Sequence, residues 1–207
     1  MGTGNDAKLA ELRTLCQDFP VEVLSPEDLS VALPNVPETG DSFLDNAALK
    51  ALAFAKLAAQ QFGPEVWALA DDSGLCVDAL DGAPGIHSAR WAGLDESLPR
   101  QERDQANNQK LLQELQGVAT PERGASFWCV IAVAEPERLL FAVEGDVRGR
   151  ILEAPKGRGG FGYDPLFYHE ESGCTFGGLE PDAKAAISHR GQAILRLRNV
   201  LHQVHPS

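Results

Sequence analysis

The sequence predicts an α/β fold with a mixed sheet, and three observations carry that expectation. Segments with helical spacing are interleaved with short apolar runs over the whole chain. Two runs, "SFWCVIAVA" and "RLLFAVEG", flank a short polar "EPE" and read as an antiparallel hairpin. Other runs stand alone between helices, and together with the hairpin they indicate a mixed sheet, not a purely parallel one.

The elements follow in order. In "NDAKLAELRTLCQDF", Leu9, Leu12, Leu15 and Cys16 share a helical face, and Pro20 ends it. "VEVL" is a short strand candidate, followed by a Pro-rich loop. A second helix starts at Asp41 or Ser42 and runs through an Ala-rich body to Gly63-Pro64. "EVWALA" and "LCVDAL" read as two strands with the turn Asp-Asp-Ser-Gly between them. A polar helix covers roughly residues 97–116, the hairpin follows, and "KGRGGFGYDP" is a Gly-rich loop. The last helix begins near Ser188 and buries Ile194, Leu197, Leu201 and Val204.

With 207 residues, 43% of them hydrophobic and 23% charged, the chain reads as one globular domain over 1–207. No apolar run reaches the ~18 residues of a membrane span. The amino terminus lacks the basic start and apolar centre of a signal peptide, so a cytoplasmic location is expected. Four scattered cysteines without a C-x-x-C pair argue against a zinc cage or a disulfide framework. Thirty acids against eighteen bases, a net charge of −12, and no dense basic stripe argue against nucleic acid as a partner. Anionic small molecules stay open, because bulk charge is screened beyond about 8 Å at physiological salt.

Five segments carry possible chemistry. "TGNDAK" (Thr3, Gly4, Asn5, Asp6, Ala7, Lys8) opens a helix, where free N–H groups and the helix dipole can hold a phosphate; an ordinary N-cap explains it equally well. Asn46 and Lys50, four apart, share a helix face, and such a lysine is either a phosphate clamp or a solvated charge. Asp71 and Asp72 are adjacent carboxylates at an apolar strand, followed by Ser73. They suit Mg²⁺ or a general base, and also an Asx turn. In the Gly-rich loop, Phe161 and Tyr163 bracket Gly162 and precede Asp164; such aromatics stack on a base or dip into the core. In "DAKAAISHRGQA", Lys184, His189 and Arg190 gather around a helix start, where cations are disfavoured unless an anion or acceptor is near.

Taken in order, "TGNDAKLAEL", "ETGDSFLDNAALKA", "ADDSGLCVDALDGAPGIHSARWAG", "GGFGYDPLF" and "AKAAISHRGQA" closely resemble the inosine triphosphate pyrophosphatase family, from residue 3 to about 200. The resemblance implies an elongated sheet with flanking helices and two lobes around a central substrate cleft, usually in a homodimer. It implies Mg²⁺-dependent hydrolysis of ITP, dITP or XTP to the monophosphate and pyrophosphate. By motif matching, Asp72 is the catalytic acceptor and a metal ligand, with Asp71 and Glu38 as further ligand candidates. Thr3 to Lys8, Lys50, Ser73 and Lys184 hold the triphosphate and sugar, and Phe161 to Asp164 with His189 and Arg190 form the base pocket.

Three features depart from the family pattern. The strand expected before "TGN" is absent from this sequence, Asp45 stands where Glu is usual, and "TFGGL" has Gly178 where Ala-Glu-Leu is usual. Two alternatives belong to other classes: a nucleotide-binding regulatory module without hydrolysis, and a Maf-like pyrophosphatase of modified pyrimidine nucleotides. The acidic doublet speaks against the first, and "SHRG" and "FGYD" against the second.

Overall fold

Four helices and a five-stranded sheet account for the regular structure of the computed structural model, which describes residues 22–95 and 97–204. The helices are α1 (Phe43–Phe62), α2 (Arg100–Glu114), α3 (Pro181–Ile187) and α4 (His189–Val204). The strands β1 (Ala68–Val77), β2 (Gly124–Glu135), β3 (Arg138–Ile151), β4 (Phe167–His169) and β5 (Cys174–Thr175) lie in the sheet in chain order. β3 pairs with β4, and β4 with β5, antiparallel, with Ile151 opposite Phe167 and His169 opposite Cys174. The predicted hairpin is β2–β3. The predicted first helix and Val21 lie outside the described residues.

Local chemistry explains most boundaries. Ser42 caps α1 by accepting the Asp45 N–H at 3.1 Å, and its hydroxyl donates to the Asp45 carboxylate at 2.7 Å. Asp45, one of the departures noted above, thus serves the helix start. Gly63, at φ 90°, ends α1 where the chain must turn through a conformation that side chains disfavour. Pro99 stands directly before α2, so the polar helix is shorter than expected. Ser188 caps α4 by accepting the Gly191 N–H at 3.1 Å.

Two expectations need correction. "EVWALA" and "LCVDAL" are not two strands around a turn: β1 runs unbroken from Ala68 to Val77 through Asp71-Asp72-Ser73-Gly74. A buried carboxylate does not force a turn when a cation neutralises it within the strand, and Asp72 has one. "VEVL" forms no strand over Glu22–Leu24; Val23 instead packs its side chain against an apolar cluster. The short α3 was not foreseen.

The chain divides into two compact units, and each of the three long strands shares its residues between them. In the first unit (1–72, 129–145, 192–207), one cluster packs Ala47, Ala51, Phe54 and Ala55 of α1 onto Ala68, Ala70, Val130, Ala132 and Ala134. Small residues there let the helix approach the sheet closely. A second cluster joins Cys129, Ile131, Val133 and Val143 to Ala193, Leu197 and Leu201 of α4, with Ile194 partly buried. The side chain of Val204 lies outside the described set. In the second unit (73–128, 146–191), Leu75, Val77, Leu111, Leu115, Phe127, Ile151, Leu166, Phe167 and Phe176 form one core. Arg123, buried there, donates to the Val118 and Leu115 carbonyls at 3.0 and 2.8 Å and so satisfies acceptors after α2.

Candidate active site

In the first unit, the helix face predicted from the Asn46–Lys50 spacing meets β1. Lys50 Nζ donates to Asp72 Oδ1 at 2.8 Å and to Glu38 Oε1 at 2.9 Å. Asn46, fully buried, accepts the Gly40 N–H at 2.9 Å and so ties the "ETG" loop that carries Glu38; its Nδ2 approaches Asp72 Oδ2 at a long 3.5 Å. Gly40 suits this loop because a Cβ there would lie 2.4 Å from Asp45 Cβ. Burial pushes the Asp72 carboxyl above its usual range, against the hydrogen bond and attraction of Lys50, and Glu38 pushes the same way. Burial opposes the Lys50 charge, yet Asp72 and Glu38 prevail and hold its pKa above the ordinary value. Asp71, half-buried, precedes Asp72 on the strand and so takes the alternate direction.

The second unit gathers another set. Asp164, 2% exposed, accepts Lys184 Nζ at 2.5 Å and the Phe161 N–H at 2.7 Å. Burial raises the Asp164 pKa, and the attraction of Lys184 and Arg190 opposes that shift. A side chain at Gly160 is excluded, because its φ is 74° and a Cβ would sit 2.1 Å from Asp164 Oδ2. Phe161 is 42% exposed, with Lys184 Nζ and the Arg100 guanidinium carbon each 4.5 Å from its ring centroid. Tyr163 behaves differently. It is 4% exposed, and its hydroxyl donates to the Ser88 carbonyl at 2.9 Å, so of the two loop aromatics only Phe161 is exposed. His189 is buried and stacks on Phe127 with centroids 4.8 Å apart. Arg190 Nη2 donates to Ser73 Oγ at 3.1 Å.

Most predicted residues therefore fall into two groups: Glu38, Lys50 and Asp72 in one unit, and Ser73, Phe161, Gly162, Tyr163, Asp164, Lys184, His189 and Arg190 in the other. Thr3 to Lys8 lie outside the described residues. The first group is a charged site with hard oxygen donors. The second is an exposed aromatic ring beside cationic and hydrogen-bonding side chains, a combination that suits a heteroaromatic ring with oxo acceptors. Sequence reasoning missed Arg100, Asp104 and Asn108, which contact the Phe161–Gly162 segment from α2. Their spacing of four was a legible signal, but it is also that of any solvated helix face.

The sequence and the fold match a known class. Residues 1–200 match the Ham1 family, and this chain belongs to it. It is 44% identical over 201 residues to the dITP/XTP pyrophosphatase of Geobacter sulfurreducens, covering 97% of this chain and 94% of that protein. It is 46% identical over 197 residues to the dITP/XTP pyrophosphatase of Geobacillus kaustophilus, covering 95% and 90%. A HAM1 protein from Coxiella burnetii has a similar structure, with TM-score 0.83 and 38% identity over 97% of this chain and 96% of that one.

Proposed function

We propose that this chain hydrolyses deaminated purine nucleoside triphosphates (ITP, dITP and XTP) to the monophosphate and pyrophosphate. The observation that carries this is the buried Asp72 carboxylate, held by Lys50, which Glu38 shares. The names of the relatives supply the substrate class.

In the reaction, the bridge between the α- and β-phosphates breaks, water oxygen joins one fragment, and a proton is released. Asp72 is the acceptor of that proton. Its Oδ1 is engaged by Lys50, whereas Oδ2 has the long 3.5 Å contact to Asn46 and is the oxygen that turns to water. Lys50 offsets the phosphate charge as well as that of Asp72. Lys184 and Arg190, with Ser73, bind phosphate, sugar or base edge. Phe161 stacks on the base, Asp164 fixes the loop, and His189 contributes to the base pocket. Thr3 to Lys8 add phosphate contacts.

The donor chemistry fits Mg²⁺. Asp72 and Glu38 already converge on one cationic centre, and Mg²⁺ takes one or two carboxylates with the rest from water and substrate phosphates. Asp72, Glu38 and Asp71 are the residues that would hold the ion; bound there, it lowers the pKa of water and neutralises phosphate charge.

Base choice follows from complementarity. Hypoxanthine and xanthine present a 6-oxo acceptor and an N1–H donor, and adenine reverses both. A pocket wired for the first pattern leaves buried groups unpaired with adenine, worth about 10⁴-fold or more. A cytoplasmic homodimer completes the proposal. A panel of ITP, dITP, XTP, ATP and GTP, with Mg²⁺ and with chelator, tests it by pyrophosphate release. The deaminated purines should turn over far faster, and only with the metal; equal rates on ATP and GTP defeat it.

A further inference from the structure

We infer that helix α2 positions the stacking loop, with Asp104 and Asn108 as positioning residues for base recognition. The inference rests on the base-stacking role proposed for Phe161.

Gly162 follows Phe161 in a left-handed conformation, φ 59°. Both polar groups of its backbone are bound by one face of α2. Its N–H donates to Asp104 Oδ2 at 2.9 Å, and its carbonyl accepts Asn108 Nδ2 at 2.8 Å. Asn108 Nδ2 also donates to the Asp104 carbonyl at 2.7 Å, so two oxygens fix which end of the amide faces the loop. Arg100, one turn earlier on the same face, brings its Nε to 3.7 Å from Asp104 Oδ2 while its guanidinium lies over the Phe161 ring.

Asp164 accepts the Phe161 N–H itself at 2.7 Å. The amides of residues 161 and 162 are thus each bound by a carboxylate, one from within the loop and one from α2. An exposed aromatic ring on a Gly-rich loop would otherwise sample many orientations. Ordering it beforehand lowers the entropy lost when a base stacks, which strengthens ground-state binding and leaves the bond-breaking step unchanged. Nothing in these contacts acts on the phosphates.

Steady-state kinetics on ITP with Mg²⁺ test this in Asp104→Leu, Asn108→Leu and Asp104→Asn, alongside inhibition by inorganic tripolyphosphate, which has no base. Each Leu variant should raise KM for ITP about tenfold, as expected for losing a hydrogen bond to a charged or amide partner. kcat should stay within about twofold, tripolyphosphate inhibition should be unchanged, and Asp104→Asn, which keeps an acceptor, should return KM to within about threefold of wild type. Unchanged KM in both Leu variants overturns the inference. So does a parallel weakening of ITP and tripolyphosphate binding, a failure of Asp104→Asn to rescue, or loss of a cooperative thermal transition in both Leu variants. A wild-type enzyme inert toward ITP and XTP removes the proposed function itself and this inference with it; an active wild type with insensitive variants removes only this one.

Discussion

Lys50 Nζ stands between Asp72 and Glu38, 2.8 Å from one carboxylate and 2.9 Å from the other. Two acids sharing one ammonium form a unit in which removal of either the cation or the reactive acid has a different signature. Asp72→Asn keeps the volume and an acceptor for Lys50 but cannot take a proton. It should lower kcat for pyrophosphate release by roughly 10²- to 10⁴-fold, the range of general base catalysis, with an unaltered circular dichroism spectrum. Lys50→Met leaves both carboxylates without their shared partner and should cost stability as well, about 3–5 kcal/mol, read by denaturant unfolding. Near-wild-type turnover in Asp72→Asn would remove Asp72 from the proposed role.

Asp164 gives a pH dependence of definite sign. Its pKa is raised by burial despite Lys184, so the folded protein binds its proton more tightly than the unfolded chain does. The stability it contributes is complete below the unfolded value near 3.8 and is lost as pH rises through the higher folded value. Asp164→Asn does not titrate. The difference in melting temperature, variant minus wild type, should therefore grow more positive as pH rises from about 3.8 upward, and flatten once Asp164 is fully ionised. A difference that falls over that interval contradicts the raised pKa.

How far the sequence was legible depends on the range of the interaction. The Asn46–Lys50 face, the Ser42 and Ser188 caps and the β2–β3 hairpin follow from spacings of a few residues, which periodicity and capping chemistry report directly. Asp71-Asp72 looks like a turn in the sequence because two adjacent acids look unfit for a strand interior; the cation that reverses this lies on another element, 22 positions from Asp72. The contact of Asn108 with Gly162 spans 54 positions, and nothing local separates it from a solvated asparagine. In "FGYD", a Gly-rich loop, nothing local says which of Phe161 and Tyr163 is held in the core. Ser88, 75 positions from Tyr163, decides that.

The contrast between these two aromatics is itself testable. Phe161→Ala removes the exposed ring, and base–aromatic stacking worth ~1–3 kcal/mol corresponds to a rise of roughly five- to hundredfold in KM for ITP. Tyr163→Phe keeps the core volume and loses only the hydroxyl donated to Ser88. It should lower stability by about 1 kcal/mol and leave KM unaffected. Kinetics and denaturant unfolding on the two variants read both outcomes; a KM effect in Tyr163→Phe would place that ring at the base.

Gly191 controls where Lys184 sits. A Cβ on Gly191 would lie 1.9 Å from the Ala185 carbonyl oxygen and 3.4 Å from Ser188 Oγ. The first of these is backbone of α3, which carries Lys184, so relief requires α3 to move relative to the start of α4. Movement of α3 draws Lys184 away from Asp164, to which it is bonded at 2.5 Å, and disturbs the Gly191 N–H bond to the Ser188 cap. Gly191→Ala should therefore lower stability by at least the ~1–3 kcal/mol typical of overpacking, and raise KM for ITP at the same time. Gly178→Ala is the control, because the Cβ there meets Thr175 Oγ1 at an ordinary 3.5 Å without a positive φ. That variant should stay within about 0.5 kcal/mol of wild type, with unchanged kinetics. Equal tolerance at both positions would mean that α3 can yield without displacing Lys184, and the coupling of helix packing to the lysine would be disproved.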